Sequence, residues 1–137
     1  MTFNYQSNRY NYICATMQYP CTESTTVNKK TYNGDGNMVY LDRQKVNCGL
    51  NSAITQFGLR RNNNVSWYQY HCCKLTYGRQ QCTHHNTKFS SDGGGNSIFL
   101  DRQNVMCHQG TTMQSFKLEW NSQQNQIRYV YTCCKPV

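Results

Sequence analysis

Polar and apolar positions alternate along most of this chain. In "WYQYHCCK" (Trp67–Lys74), Tyr68, Tyr70 and Cys72 fall on one face of an extended strand and Gln69, His71 and Cys73 on the other. "RYVYTCCK" (Arg128–Lys135) repeats the pattern, and "AITQFGLRR" (Ala53–Arg61) sets Phe57 and Leu59 on one face. "MVYLDRQKV" (Met38–Val46) is rich in β-branched and aromatic residues and also reads as strand. Turn formers punctuate these runs at "NGDGN" (Asn33–Asn37), "RNNN" (Arg61–Asn64) and "SDGGGN" (Ser91–Asn96), while Pro20 and Pro136 lie outside them. No stretch sustains a helical period. The expectation is an all-β, antiparallel fold of about seven strands, sandwich-like or made of stacked small sheets, with the long connections Thr22–Asn37 and Thr83–Asn96 crossing between sheets.

The pattern is duplicated. Asn37–Lys74 recurs as Asn96–Lys135, about 60 residues later. Leu41, Asp42, Arg43, Gln44, Val46, Cys48, Phe57, Leu59, Tyr68, Tyr70, Cys72 and Cys73 all have a counterpart of the same type in the second copy. A fragment, "RYNYICA" (Arg9–Ala15), matches only the end of each copy, with Tyr10, Tyr12 and Cys14 in place of Tyr68, Tyr70 and Cys72, and Ala15 in place of Cys73. The chain therefore divides into an N-terminal partial repeat with its connecting loop (1–36), a first full repeat with its following loop (37–95) and a second full repeat (96–137).

Composition explains how such a fold could hold together. The hydrophobic fraction is 37%, low for a globular domain, and nine cysteines are present. None forms a C-x2-C pair, the usual mark of a zinc domain, so the cysteines are read as disulfides of an oxidising compartment. Each bridge is worth about 2–4 kcal/mol, which offsets a thin apolar core. The fragment guides the pairing. It has no head cysteine before it and lacks the second cysteine of the vicinal pair, so head and second tail cysteine are taken as partners: Cys48 with Cys73, and Cys107 with Cys134. The first tail cysteine then joins the next loop, Cys14 with Cys21 and Cys72 with Cys82, and Cys133 is left unpaired or intermolecular. Vicinal cysteines point to opposite faces of a strand, so each can tie a different layer.

The first ten residues, "MTFNYQSNRY", show neither the basic nor the apolar region of a signal peptide, and no apolar run is long enough to span a membrane. A secreted chain would then be a mature form or a piece of one. The net charge of +8 comes from scattered Lys and Arg, so a solvated basic surface is the favoured reading, with glycans or other polyanions as the alternative partners and no specific nucleic acid. Asn64-Val65-Ser66 is an N-glycosylation acceptor.

Candidate chemistry is sparse. Asp42, Arg43 and Gln44, with Asp101, Arg102 and Gln103, could hold sugar hydroxyls beside Tyr40 or Phe99 as a stacking platform; a purely structural role for the triplets is the competing and favoured reading. His71 and His108 have no counterpart in the other copy. "CTHH" (Cys82–His85) would suit zinc only with Cys82 reduced. "NGDGN" begins like a calcium loop but has Met38 and Gln44 where that loop needs Gly and Glu. With six acidic residues and no nucleophile-elbow, phosphate-loop or dinucleotide motif, neither an enzyme nor a cofactor or metal is expected. The tyrosine pairs divide between core and cross-strand packing, with some suited to be interface anchors.

The pattern L-D-R-Q-x-V-x-C, F-x-L, Y-x-Y-x-C-C resembles repeat units of large cysteine-rich extracellular proteins of ciliates and other aquatic eukaryotes. The resemblance implies an extracellular tandem-repeat module and carries over no catalytic residue. Together these readings point to a secreted, non-enzymatic structural or assembly module of a fibre, coat or matrix, self-associating or set in a longer array. A carbohydrate-binding module with one site per repeat is the alternative, and a basic secreted toxin or inhibitor a third.

Overall fold

The computed structural model describes residues 2–4, 9–11, 21–26, 37–62, 65–75 and 79–136, with backbone alone at 2–4, 9–11, 61–62, 65 and 97–98. Among these residues ten strands are present: β1 (Thr2–Asn4), β2 (Arg9–Asn11), β3 (Cys21–Thr25), β4 (Lys45–Asn47), β5 (Ser52–Asn62), β6 (Val65–Lys74), β7 (Gln80–Asn86), β8 (Ser90–Ser91), β9 (Thr112–Asn121) and β10 (Gln126–Pro136). Every pairing is antiparallel. One sheet has the order β1-β2-β5-β6-β3; the other runs β4-β9-β10-β7, with β8 also paired to β10. The all-β antiparallel expectation holds. Pro136, expected outside the strands, ends β10 at the sheet's outer pairing with Gln80.

Two expectations about local structure change. The first long connection does lead from β3 in one sheet to β4 in the other, but the second stays with one sheet, since β7, β8 and β9 all belong to it; each also carries part of a strand, β3 or β7, at the end of a sheet. Both strands are polar ("CTEST", "QQCTHHN") and mostly exposed, so no apolar alternation announces them. "MVYLDR" is not a strand either. Met38–Arg43 is a short 3-10 helix, begun by Asn37, whose side-chain oxygen accepts the Val39 N–H. Ser97–Arg102 is helical in the same way. Met38, Val39 and Leu41 are all buried, which a strand with one dry face could not achieve.

The four disulfides join Cys21 to Cys73, Cys48 to Cys72, Cys82 to Cys134 and Cys107 to Cys133. This corrects the expected wiring at every bridge that can be compared. Cys48 pairs with Cys72 rather than Cys73, Cys107 with Cys133 rather than Cys134, and Cys133 is neither free nor intermolecular. Cys14 lies outside the described residues, but its expected partner Cys21 is bonded to Cys73. Strand faces supply the reason. Cys72 shares the inward face of β6 with Tyr68 and Tyr70, from which it reaches the head cysteine across the core. Cys73 points outward and stands in direct register with Cys21 on β3, as Cys134 does with Cys82 on β7. Directly opposed residues project to the same side of a sheet, so the loop cysteine meets the second tail cysteine.

The core lies where the two sheets meet. Phe57 and Phe116 touch with ring centroids 4.4 Å apart, and Tyr68 sets its edge against Phe116 at 5.2 Å. The fully buried hydroxyls of Tyr68 and Tyr129 share a 2.8 Å hydrogen bond. Burial, followed by the neighbouring Tyr129, pushes the Tyr68 phenol well above its usual range. β4, although it precedes β5, joins the opposite sheet, with Val46 facing Phe116 on β9.

Candidate functional site

The 3-10 geometry determines what each Asp-Arg-Gln triplet can do. Residues three apart eclipse one another in such a helix. Arg43 accordingly lies 4.2 Å above the ring of Tyr40, and Arg102 lies 4.0 Å above Phe99. Arginine and aromatic ring recur together because they stack together, a contact worth about 0.5–1 kcal/mol at exposed sites.

Gln44 and Gln103 turn inward, each 1% exposed. The Gln44 carbonyl oxygen accepts from the Thr26 hydroxyl, and its amide donates to the Ser66 carbonyl at 2.7 Å. Thr26 in turn accepts the Tyr68 N–H at 2.8 Å and donates its own N–H to the Tyr68 carbonyl. Gln103 repeats the arrangement with the Thr87 hydroxyl and the Ile127 carbonyl, and adds a 2.6 Å bond to Ser90. Thr87 bonds the Tyr129 backbone as Thr26 bonds that of Tyr68. Both glutamines are struts that fasten the end of an outer strand to its hairpin, so neither can meet a sugar. Thr26 and Thr87 were not singled out from sequence, although each follows its loop cysteine at the same spacing, in "CTESTT" and "CTHHNT".

The aspartates diverge. Asp101 is exposed, whereas Asp42 is partly covered and its Oδ1 has no hydrogen-bond partner among the described residues. Burial raises the Asp42 pKa above the ordinary carboxylate value, against the opposing pull of Arg43 and Lys117. An Asp and Gln acting from one strand face, as the sugar-binding reading of these triplets needs, is thus not what the residues form.

The histidines serve separate surface contacts. His71 pairs with Glu23 at 3.2 Å, and His84 Nδ1 lies 2.9 Å from the Thr132 hydroxyl. His85 stacks on Tyr131 with centroids 5.4 Å apart and sets its edge toward His108 at 6.5 Å. Cys82 is disulfide-bonded and so offers no thiolate beside them. Among the described residues no three His, Cys, Asp or Glu side chains converge. Asn64 lies outside the described residues, as do Asn33 to Gly36; Ser66 of the glycosylation triplet is buried in β6.

A cleft of about 350 Å³ lies between the start of the Met38–Arg43 helix and the Asp92–Gly95 turn. Asp92 is nearly enclosed, 6% exposed, and both of its carboxylate oxygens are engaged: Oδ1 accepts the Gly94 N–H at 2.9 Å and Oδ2 the Trp120 indole N–H at 3.1 Å. Asp92 N–H also donates to the carbonyl of Asn125, in the β9–β10 turn. Gly93, Gly94 and Gly95 all have positive φ, and a Cβ on Gly95 would stand 2.0 Å from Asn37 Oδ1. Only glycine lets this turn close against the Asn37 cap.

Comparison of the chain with family models, curated proteins and solved structures gives no match. The class that the fold itself defines is an antiparallel all-β protein braced by four disulfides, and among the described residues no helix is long and apolar enough to cross a membrane.

Proposed function

We propose that the chain is a secreted, non-enzymatic structural module, built of two tandem units, that assembles into an extracellular fibre, coat or matrix. One observation carries this reading. Two bridges close within residues 21–73 and two within 82–134, yet β4 of the first stretch completes the sheet of β9 in the second. Units that no disulfide among the described residues joins to each other, and that meet by strand pairing, hydrogen bonds and side-chain packing, can make the same join between chains without breaking a disulfide. Counterpart residues meeting each other, Phe57 with Phe116 and Tyr68 with Tyr129, fit a two-fold relation between units, as in a symmetric dimer interface. The exposed strands β3 and β7, at the sheet ends, offer further places for strand addition.

The test is solution size across a wide concentration range, with electron microscopy of the concentrated protein. Growth of oligomers or filaments that survive under non-reducing conditions is the expected result. A monomer at every concentration overturns the assembly role. Mass mapping of the unreduced protein checks its premise, since a bridge between the two stretches would contradict individually closed units.

A further inference from the structure

The cleft beside Trp120 has no part in the strand pairing on which the assembly reading rests. Its lining joins an apolar surface to neutral polar groups. Trp120 is half-buried and cannot swing freely, because its indole N–H is held by Asp92. Val39 is buried beneath the opposite wall, and Tyr40 packs against Trp120 with ring centroids 6.0 Å apart. Among the described residues that line the space, the one carboxylate is spent on internal hydrogen bonds, and none is a Lys, Arg or His. The polar groups that line it among the described residues are uncharged: Asn37, the exposed Asn125 and the backbone around Gly94, which has open space where a side chain would project.

Among the described residues of the lining, a cation would find no free carboxylate and an anion no positive charge. A wholly apolar ligand would leave the amides unsatisfied if it covered them. A pyranose ring meets both requirements, with a C–H face to lay on an aromatic plane and a rim of neutral hydroxyls for amides to bond. The volume falls within the range of about 300–1,000 Å³ usual for small-ligand sites. We propose that this cleft binds a neutral saccharide, its ring lying on Trp120 and its hydroxyls bonded by the Asn125 and Asn37 amides.

Two substitutions remove the site while keeping its backbone. Asn125→Gly deletes the amide at a position where φ is +53°, and Gly94→Asn fills the opening at φ +66°, a conformation that asparagine tolerates. The probes are the methyl pyranosides of glucose, galactose, mannose and N-acetylglucosamine, followed by ligand-observed NMR and tryptophan fluorescence, together with an array of neutral and sulfated glycans. The expected result is binding of at least one neutral sugar. Each substitution should weaken it about tenfold or more, equivalent to at least about 1.4 kcal/mol, with near-UV circular dichroism unchanged. The double variant Asp42→Ala and Asp101→Ala should bind as the parent does. No binding of any neutral sugar overturns the proposal. So does binding confined to sulfated glycans, binding that both cleft variants retain, or binding lost only with the two aspartates.

Discussion

Changing Tyr129 to phenylalanine removes a hydroxyl from the seam between the two sheets and leaves the shape of the side chain almost intact. The Tyr68 hydroxyl, 2.8 Å away and inaccessible to solvent, then loses its partner at a site water does not reach. A buried donor stranded in this way costs about 1–3 kcal/mol. Tyr68→Phe removes the same bond from its other end and should also destabilise. The double variant removes the Tyr68 hydroxyl along with its partner, so it should be no less stable than Tyr129→Phe alone. The coupling energy should therefore be about 1–3 kcal/mol, far above the error of a double-mutant cycle. The measurement is urea unfolding with the disulfides intact, after coincident near-UV and far-UV transitions establish two-state behaviour. Additivity within about 0.5 kcal/mol would refute the shared bond, and with it the meeting of the sheets at these residues. The raised Tyr68 pKa gives a second readout. Tyrosine ionises near pH 10 in the unfolded chain, while folded Tyr68 keeps its proton, so the folded state binds more protons there. Stability should fall as pH climbs through about 10, and Tyr68→Phe should make that fall shallower.

Gln44→Ala removes both ends of a buried strut and should cost about 2–4 kcal/mol in urea unfolding, whereas Asp101→Ala at the exposed surface should change stability by less than about 0.5 kcal/mol. Equal, small effects would return the triplets to a ligand-binding role. Asp42→Asn should stabilise the protein at neutral pH, since the folded-state pKa lies above the unfolded value and ionisation opposes folding. The gain should vanish below about pH 4, where the carboxyl is protonated in both states, and thermal melts across that range would show it. Lys45 and Lys117 face each other across the β4–β9 pair, so Lys45→Glu should stabilise by about 0.2–1 kcal/mol, with the gain shrinking in high salt; a loss would mean the strand is not paired in this register.

The strand faces could be read in the sequence because strands of period two write their burial directly into residue order. Phe57, Leu59 and Tyr68, with Phe116, Leu118 and Tyr129, are all buried on the faces their alternation assigns. The disulfide partners could not. They depend on register, and the register of β3 and β7 is set by pairing with β6 and β10 far along the chain, with no apolar pattern of their own to reveal it. The comparison with the N-terminal fragment misled because a missing cysteine indicates that a partner is absent, not which face of the strand that partner lies on. The Met38–Arg43 helix was hidden by β-branched and aromatic content, which in a short apolar run cannot tell strand from helix. Its one local signal was Asn37, a good cap placed just ahead of Met38. The cleft had no local signal, since it joins Asn37 to a turn and a tryptophan contributed by distant parts of the chain.

Because no bridge among the described residues crosses between 21–73 and 82–134, the covalent and non-covalent parts of this fold do different work. The bridges fix each hairpin to its outer strand and to its head cysteine, which limits what the unfolded chain can explore. They do nothing to hold the two stretches together. That join rests on the shared apolar core with its aromatic seam and tyrosine hydroxyls, on the hydrogen bonds of Gln114 with Cys48 and Gly49, and on three residues of β4, whose pairing sets two lysines face to face. Separation of the stretches therefore exposes a ready-made apolar face and an open strand edge on each, while leaving every disulfide intact. A second chain opened in the same way presents the same two surfaces. If the chain assembles as proposed, this join can re-form between chains, and conditions that loosen it without reducing the bridges are those under which assembly should be fastest.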